Sequence, residues 1–513
     1  MMMRRIDNWL FGVIALVFAF FITHGLIAQP AYTDAYYYFN AATRFAAGDG
    51  LTDEYLFTYI GAPDSLPAPS HLYWMPFTSI VAGAAMWVAN APGNYDVAQI
   101  PFALMFAATA GVGFWLGGQL GGTRRHAWVA GLMTLFSGFF TRFWGMTDTF
   151  APFAFVGSLT LVFIGLGVTR GRTIFWLAAG IFAGFGHLTR ADGMLLIIVG
   201  YVVIGWVGIS QGRHIKPMRA VLTLTIGYLI AMIPWFVRNL HVIGTPLPLG
   251  GAQAIWFITY DDLFRYPPHI SPSEMTLQTF VDSRWLALSN NFLTFLAVEG
   301  MVVVAPLMLI GLWRRRRDHF LTAFWIYALG LHLAMTLAFP FAGYRGGLFH
   351  SAAALIPFWM ALGGVGLDDA VHWVAARRRN WKPHTAKRVF SVGLVILAML
   401  LSLNVGLQGR VTEHRPALFD AVMQYVPINA RVLVNDPAEL YYYTGRGGVV
   451  LPNAPVEVLQ QVANQYDVDY FLFQGENSLT TQLYTSFDPD NLPPFLTLIT
   501  ADLPGARLYA INH

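Results

Sequence analysis

Two carboxylates and a few cations stand out because nearly everything around them is apolar. Asp34 sits in Tyr32-Thr33-Asp34-Ala35-Tyr36-Tyr37-Tyr38-Phe39, with five of its neighbours aromatic. Asp148 sits in Phe143-Trp144-Gly145-Met146-Thr147-Asp148-Thr149-Phe150. A carboxylate placed beside a reacting hydroxyl or amine can take its proton. Two carboxylates facing one cleft could divide base and substrate-binding roles, or hold a divalent cation such as Mg or Mn. Each also stands where a helix begins, so capping of unpaired N–H groups is a competing role.

The cations point to an anion. Arg190 follows His187-Leu188-Thr189 and precedes Asp192, Arg238 lies in Pro234-Trp235-Phe236-Val237-Arg238-Asn239, and Arg345 lies in Gly343-Tyr344-Arg345-Gly346-Gly347. The planar guanidinium fork matches phosphate oxygens, so these three are candidates for a phosphate or diphosphate. Arg190 and Asp192 could equally pair with each other. His71 and His350 could touch phosphate or metal, although a lone histidine is more often a hydrogen-bonded structural residue. Tyr36, Tyr37, Tyr260 and Asp261 are candidates for shaping a substrate or acceptor site. Glu299 falls inside an apolar block, where an ionisable group is a functional candidate by default.

Other chemistries lack their residues. There is no cysteine, so thiol nucleophiles, disulfides and Cys-ligated metals are absent. No Walker loop, GxGxxG in strand–turn–helix context, HExxH or nucleophile elbow is present. That removes support for nucleotide-driven transport, and nucleic acid is not an expected partner.

The elements that must position these residues are membrane helices. Of 513 residues, 56% are hydrophobic and only 12% charged, about half the charge of an ordinary soluble domain. Apolar blocks near the length of a bilayer crossing recur until about residue 408. They predict about eleven spans: 9–28, 98–119, 127–146, 150–169, 173–190, 193–210, 220–238, 291–313, 320–340, 349–375 and 389–407. The first has no clear cleavage site after it and reads as a retained helix. The segments assigned inside hold 19 of the 31 lysines and arginines, among them Arg4, Arg5, Arg124, Arg125, Arg213, Arg314 to Arg317 and Arg377 to Arg379, and every lysine. The positive-inside rule then predicts a multi-pass protein of the plasma membrane, N-terminus cytoplasmic. The block 71–90 breaks the alternation and reads as a re-entrant or surface helix. The expected domains are a membrane domain, 1–408, with outer loops at about 29–97 and 239–290, and an extracytoplasmic α/β domain, 409–513. In the latter, 431–435, 469–474 and 495–500 read as strands and 456–465 as a helix.

These residues carry a resemblance. The chain resembles the GT-C superfamily of membrane glycosyltransferases, which includes protein O-mannosyltransferases, the lipid A aminoarabinose transferase and oligosaccharyltransferases. The family places a catalytic Asp just after the first helix, which matches Asp34, although Asp34-Ala35 stands here where many mannosyltransferase-type members have Asp-Glu. A second family acid matches Asp148. Pro69-Ser70-His71-Leu72-Tyr73-Trp74-Met75-Pro76 is similar to the family's juxtamembrane segment without its double proline.

The resemblance implies an all-α polytopic domain with a small α/β domain. It also implies inverting transfer of a hexosyl or pentosyl group from a polyprenyl-phosphate donor to a protein, lipid or glycan acceptor on the outer face. Asp34 would be the base, and Arg345, Arg238, Arg190 or His350 would face the donor phosphate. The competing readings are a lipid-linked sugar transporter or flippase, and a non-catalytic scaffold on the same fold.

Overall fold

The computed structural model describes residues 5–61, 63–211, 216–248, 250–268, 275–378 and 380–513. Arg4, Arg213 and Arg379 of the charge pattern lie outside the described residues. Among the described residues, eight helices are long and apolar enough to cross a membrane: Arg5–Leu26, Tyr95–Gly121, Phe150–Arg170, Ala191–Gly208, Pro217–Val242, His319–Ala338, Pro340–Ala375 and Pro383–Gln408. The protein is a multi-pass membrane protein. In Arg5–Leu26 the pattern is explicit. Phe11, Ala15, Ala19 and Ile22 are buried at helical spacing, while Trp9, Val13, Val17 and Phe21 stay exposed on another stripe. An exposed stripe of that kind suits lipid rather than water.

Three expected spans are not among these eight. Residues 127–146 begin as Arg124–Leu135, then break at Phe136 and Gly138 into a short 3-10 turn, Gly138–Arg142. Residues 291–313 contain a π segment, Thr294–Glu299, and left-handed backbone at Met301 and Val302 before the helix Ala305–Arg315. The third, Thr173–Thr189, has 17 residues.

The chain forms two compact units. The first contains residues 1–28, 99–241 and 284–411, and the second residues 29–98, 242–283 and 412–513. In the first unit small residues let helix backbones touch, as in other membrane helix pairs. Gly180 and Gly227 join Thr173–Thr189 to Pro217–Val242, where a Cβ on either would strike the Leu224 or Leu177 carbonyl. Gly311 and Gly366 do the same between Ala305–Arg315 and Ile356–Ala375.

The second unit is built on a six-stranded sheet ordered Tyr55–Leu56, Gly448–Val450, Val432–Val434, Tyr470–Phe473, Ala506–Ile511, Leu496–Leu503. The first four run parallel, and the last two close as an antiparallel pair. Val432–Val434 is buried throughout, as a strand covered on both faces must be. The helix Val458–Tyr466 buries Leu459, Val462, Ala463 and Tyr466 at helical spacing. The strands and helix expected in the tail are therefore present. The contacts also group the two outer loops with the tail, because Tyr55 pairs with Gly448 across the intervening membrane helices of the sequence. The block 71–90 holds the 12-residue helix Phe77–Val88, which rises about 18 Å and is too short to cross a ~30 Å core. It packs on Thr33–Ala47, where Gly83 lies beneath Phe45 and Ser79 donates to the Tyr38 carbonyl at 2.9 Å.

Gly180→Val and Gly366→Val should each destabilise the first unit by about 1–3 kcal/mol, because the backbones must separate to admit the side chain. Thermal unfolding in detergent checks this. Gly12→Ala, with nothing within 4 Å of the added carbon, is the control that should leave the midpoint in place.

Candidate active site

Asp148 precedes the helix Phe150–Arg170 and is fully buried. Its Oδ1 accepts the Thr149 N–H at 2.5 Å, so the carboxylate serves the first turn without occupying the N-cap position, which is Thr149. The His350 Nδ1 lies 3.6 Å from the same Oδ1 and 2.8 Å from the Thr149 hydroxyl, and the ring stacks on Phe150 with centroids 3.9 Å apart. His350 reaches this position because the chain kinks before it. The π segment Gly343–Gly347 contains Gly346 at φ 128°, a conformation that only glycine adopts without strain.

Arg190 closes the cluster. It ends Thr173–Thr189 with extended backbone, φ −148°. Its Nε donates to the Asp192 carboxylate at 3.0 Å and to the Ser351 hydroxyl at 2.8 Å. Its two terminal nitrogens donate to the Thr149 hydroxyl at 3.3 Å and the Gly347 carbonyl at 3.4 Å. Ser351 in turn donates to Asp192. One guanidinium therefore ties the start of Phe150–Arg170, the turn at 190–193 and the kink at 343–347. A planar fork with several fixed donors can do this, whereas an ammonium point charge cannot.

The other expected residues of this unit lie elsewhere in it. Arg238 stacks over Trp235 at 4.8 Å and donates to the Asn239 side chain at 3.0 Å. Arg345 is exposed within the kinked segment, two residues before Gly347. Glu299 is buried, accepts from the Trp359 indole at 2.8 Å and lies 2.9 Å from His332.

Asp34, Tyr36, Tyr37, His71, Tyr260 and Asp261 belong to the second unit. Asp34 stands in the first turn of Thr33–Ala47, where the dipole favours a carboxylate. The N-cap position itself is Tyr32, and it has no side-chain cap bond. The Thr33 hydroxyl donates to the Asp436 carboxylate at 2.5 Å. The same helix is fixed by Asn40, which donates to the Ala438 carbonyl at 2.9 Å, and by Tyr36, whose hydroxyl meets that of Tyr443 at 3.1 Å. His71 is buried among Tyr37, Tyr38 and Trp74, and its backbone N–H donates to the Tyr37 hydroxyl at 2.7 Å, while its ring Nδ1 lies 3.2 Å from the Trp74 carbonyl. Asp261 accepts the Thr481 N–H at 2.8 Å, while Tyr260 is exposed and meets Phe264 edge-on.

Sequence reasoning missed the brace of this unit, the helix Pro437–Thr444. Asp436 caps it by accepting the Glu439 N–H at 3.0 Å. Asp-Pro-x-Glu at 436–439 is a legible helix start. Burial pushes the Asp436 carboxyl above its usual range, and burial together with Asp436 raises Glu439 to about 7.

Asp148 and His350 present a carboxylate oxygen and a ring nitrogen within 4.8 Å of each other. One divalent ion could bridge them, and mixed N/O donors fit Mn or Zn better than Mg.

Arg190→Lys should destabilise the protein by roughly 2 kcal/mol despite keeping the charge, since most of the fork's bonds are lost. The thermal midpoint measures it. A second expectation concerns Glu439. Its folded value lies above the unfolded 4.5, so the folded state holds the proton more tightly. The associated stability is complete below about pH 4.5 and is lost as pH rises towards about 7. Hydrogen exchange at 437–444 should therefore speed up across that window beyond its intrinsic pH dependence, and Glu439→Gln should flatten the change.

No protein-family model and no curated protein matches this chain. Solved structures do. The oligosaccharyltransferase AglB of Archaeoglobus fulgidus, in complex with an inhibitory peptide and a dolichol-phosphate, superposes with a TM-score of 0.59 at 14% identity, covering 91% of this chain and 69% of that one. The same enzyme in complex with Zn and sulfate gives 0.58 at 14%, covering 90% and 67%. ArnT of Cupriavidus metallidurans bound to undecaprenyl phosphate gives 0.58 at 15%, covering 98% and 97%. This chain has the fold of the GT-C membrane glycosyltransferases.

Proposed function

We propose that this protein transfers a sugar from a polyprenyl-phosphate carrier to a protein, lipid or glycan acceptor at the extracytoplasmic face, inverting the anomeric centre. The observation that carries the reading is a buried carboxylate, Asp148, beside the half-buried imidazole of His350, the pair braced by the Arg190 fork within a GT-C fold. The neighbours in that fold hold dolichol-phosphate or undecaprenyl phosphate, which favours a lipid-linked donor here. The assignment of the face rests on the distribution of lysine and arginine.

In this reading the acceptor O–H or N–H attacks the anomeric carbon while the bond from that carbon to the phosphate oxygen breaks. Asp34 takes the acceptor proton, and the carrier phosphate leaves with the bonding electrons. The exposed Arg345 is the favoured partner of that phosphate. Arg190 acts as a positioning residue, holding Thr149 and the kink that carries His350. A divalent cation on Asp148 and His350 would supply positive charge to the leaving phosphate.

The test is transfer of radiolabelled sugar from a panel of polyprenyl-phosphate donors in proteoliposomes, with and without Mn, Mg or Zn. Asp34→Asn and Asp148→Asn should each lose at least ~100-fold while remaining folded. Full activity in Asp34→Asn would remove Asp34 as the base. A wild-type protein that transfers no sugar from any donor under any metal condition would overturn the glycosyltransferase reading.

A further inference from the structure

The first unit has a second polar cluster, remote from Asp148. It lies where Tyr95–Gly121, Ala305–Arg315 and Ile356–Ala375 end and where Arg124–Leu135 and Pro383–Gln408 begin. From Ile356 to Asp369 the helix rises about 20 Å, which separates this end from the Asp148 cluster. A cavity of about 430 Å³ opens here, lined by His126, Arg314, Arg315, Asp368 and Asp369 among others. That volume admits a headgroup-sized ligand.

The charges in it are unevenly matched. Asp368 is saturated: Arg125 reaches it at 2.5 Å, Lys387 at 3.2 Å and His126 at 3.3 Å. Among the described residues, Arg314 and Arg315 have only loose carboxylate partners, Asp369 at 3.7 Å and Asp318 at 3.9 Å, both beyond hydrogen-bond reach. Arg315 also donates to the Leu120 carbonyl, which fixes it at the cavity wall. The Arg314 side chain is 70% exposed.

An independent feature marks the level of this cavity in a bilayer. Trp313 and Trp373 are both exposed, and Arg316 and Arg377 stack on them at 4.3 and 3.9 Å. Amphipathic rings of this kind settle at the headgroup layer. A cavity at that layer with two guanidiniums only loosely matched by carboxylates suits a lipid phosphate, because basic pockets between membrane helices attract anionic headgroups.

We propose that this cavity binds the phosphate headgroup of an anionic membrane phospholipid, held by Arg314 and Arg315, with Asp369 as the competing carboxylate. The site does not depend on the transferase reading.

The test uses the full chain in phosphatidylcholine nanodiscs with increasing phosphatidylglycerol, followed by thermal unfolding and by native mass spectrometry of retained lipid. Phosphatidylglycerol should raise the midpoint and be retained. Arg314→Gln should weaken its apparent affinity about fivefold, the worth of one surface arginine at a lipid headgroup. Asp369→Asn should strengthen it by a similar factor, an opposite sign that general loss of structure cannot mimic. Retention of phosphatidylcholine equal to that of phosphatidylglycerol, or wild-type affinity in both variants, would overturn the proposal. If inorganic phosphate alone at millimolar concentration gives the whole shift, the lipid is excluded and the ligand is a free anion.

Discussion

Backbone that leaves a helix within a bilayer must find partners for its own N–H and C=O groups, and lipid offers none. The polar chemistry of the first unit sits where the protein meets that demand internally. The chain leaves regular helix at 136–149, at 190–193 and at 339–347. Asp148, Arg190 and His350 stand in or beside those three breaks. Arg190 serves the Gly347 carbonyl, and Asp148 serves the Thr149 N–H. The residues that could do chemistry are thus also those that pair the interrupted backbone, so the site and the local fold share the same bonds.

That sharing explains why a charged cluster persists among apolar helices. An isolated buried carboxylate would be expensive, but Asp148 and Asp192 are each met by donors or cations within the same network. The opposite end of the bundle follows another rule. There Arg124 pairs with Asp7 at 2.6 Å, and Asp368 gathers three donors, yet several arginines stay exposed near tryptophans. One end spends its cations on internal architecture, and the other keeps cations for its surroundings.

Much of this was legible in the sequence. Arg190, Asp148 and His350 were candidates because charge is scarce in the apolar blocks. Thr149 and Ser351 were not, since hydroxyls in such helices commonly bond their own backbone, as Thr160 does to the Val156 carbonyl. The break at Met301 and Val302 has left-handed backbone at two non-glycine residues, and no residue type announces that. Strands 432–434 and 470–473 were visible as short apolar runs, whereas Tyr55–Leu56 is two residues long and too short to show an alternation. The outer loops therefore read as loops, although one of them contributes a strand to the sheet.

That two-residue strand has a consequence for how the molecule is made. Its sheet neighbour, Gly448–Val450, is nearly four hundred residues away in the chain. A ribosome delivers residues in order, and pairing between such distant segments is slow to form. During synthesis the 29–98 segment must wait for its sheet partner while the membrane helices are inserted. It can join its sheet only when residues 448–450 have emerged. A chaperone on the side where that segment waits would shield it during the interval, and slowed synthesis of the final stretch would lengthen the exposure.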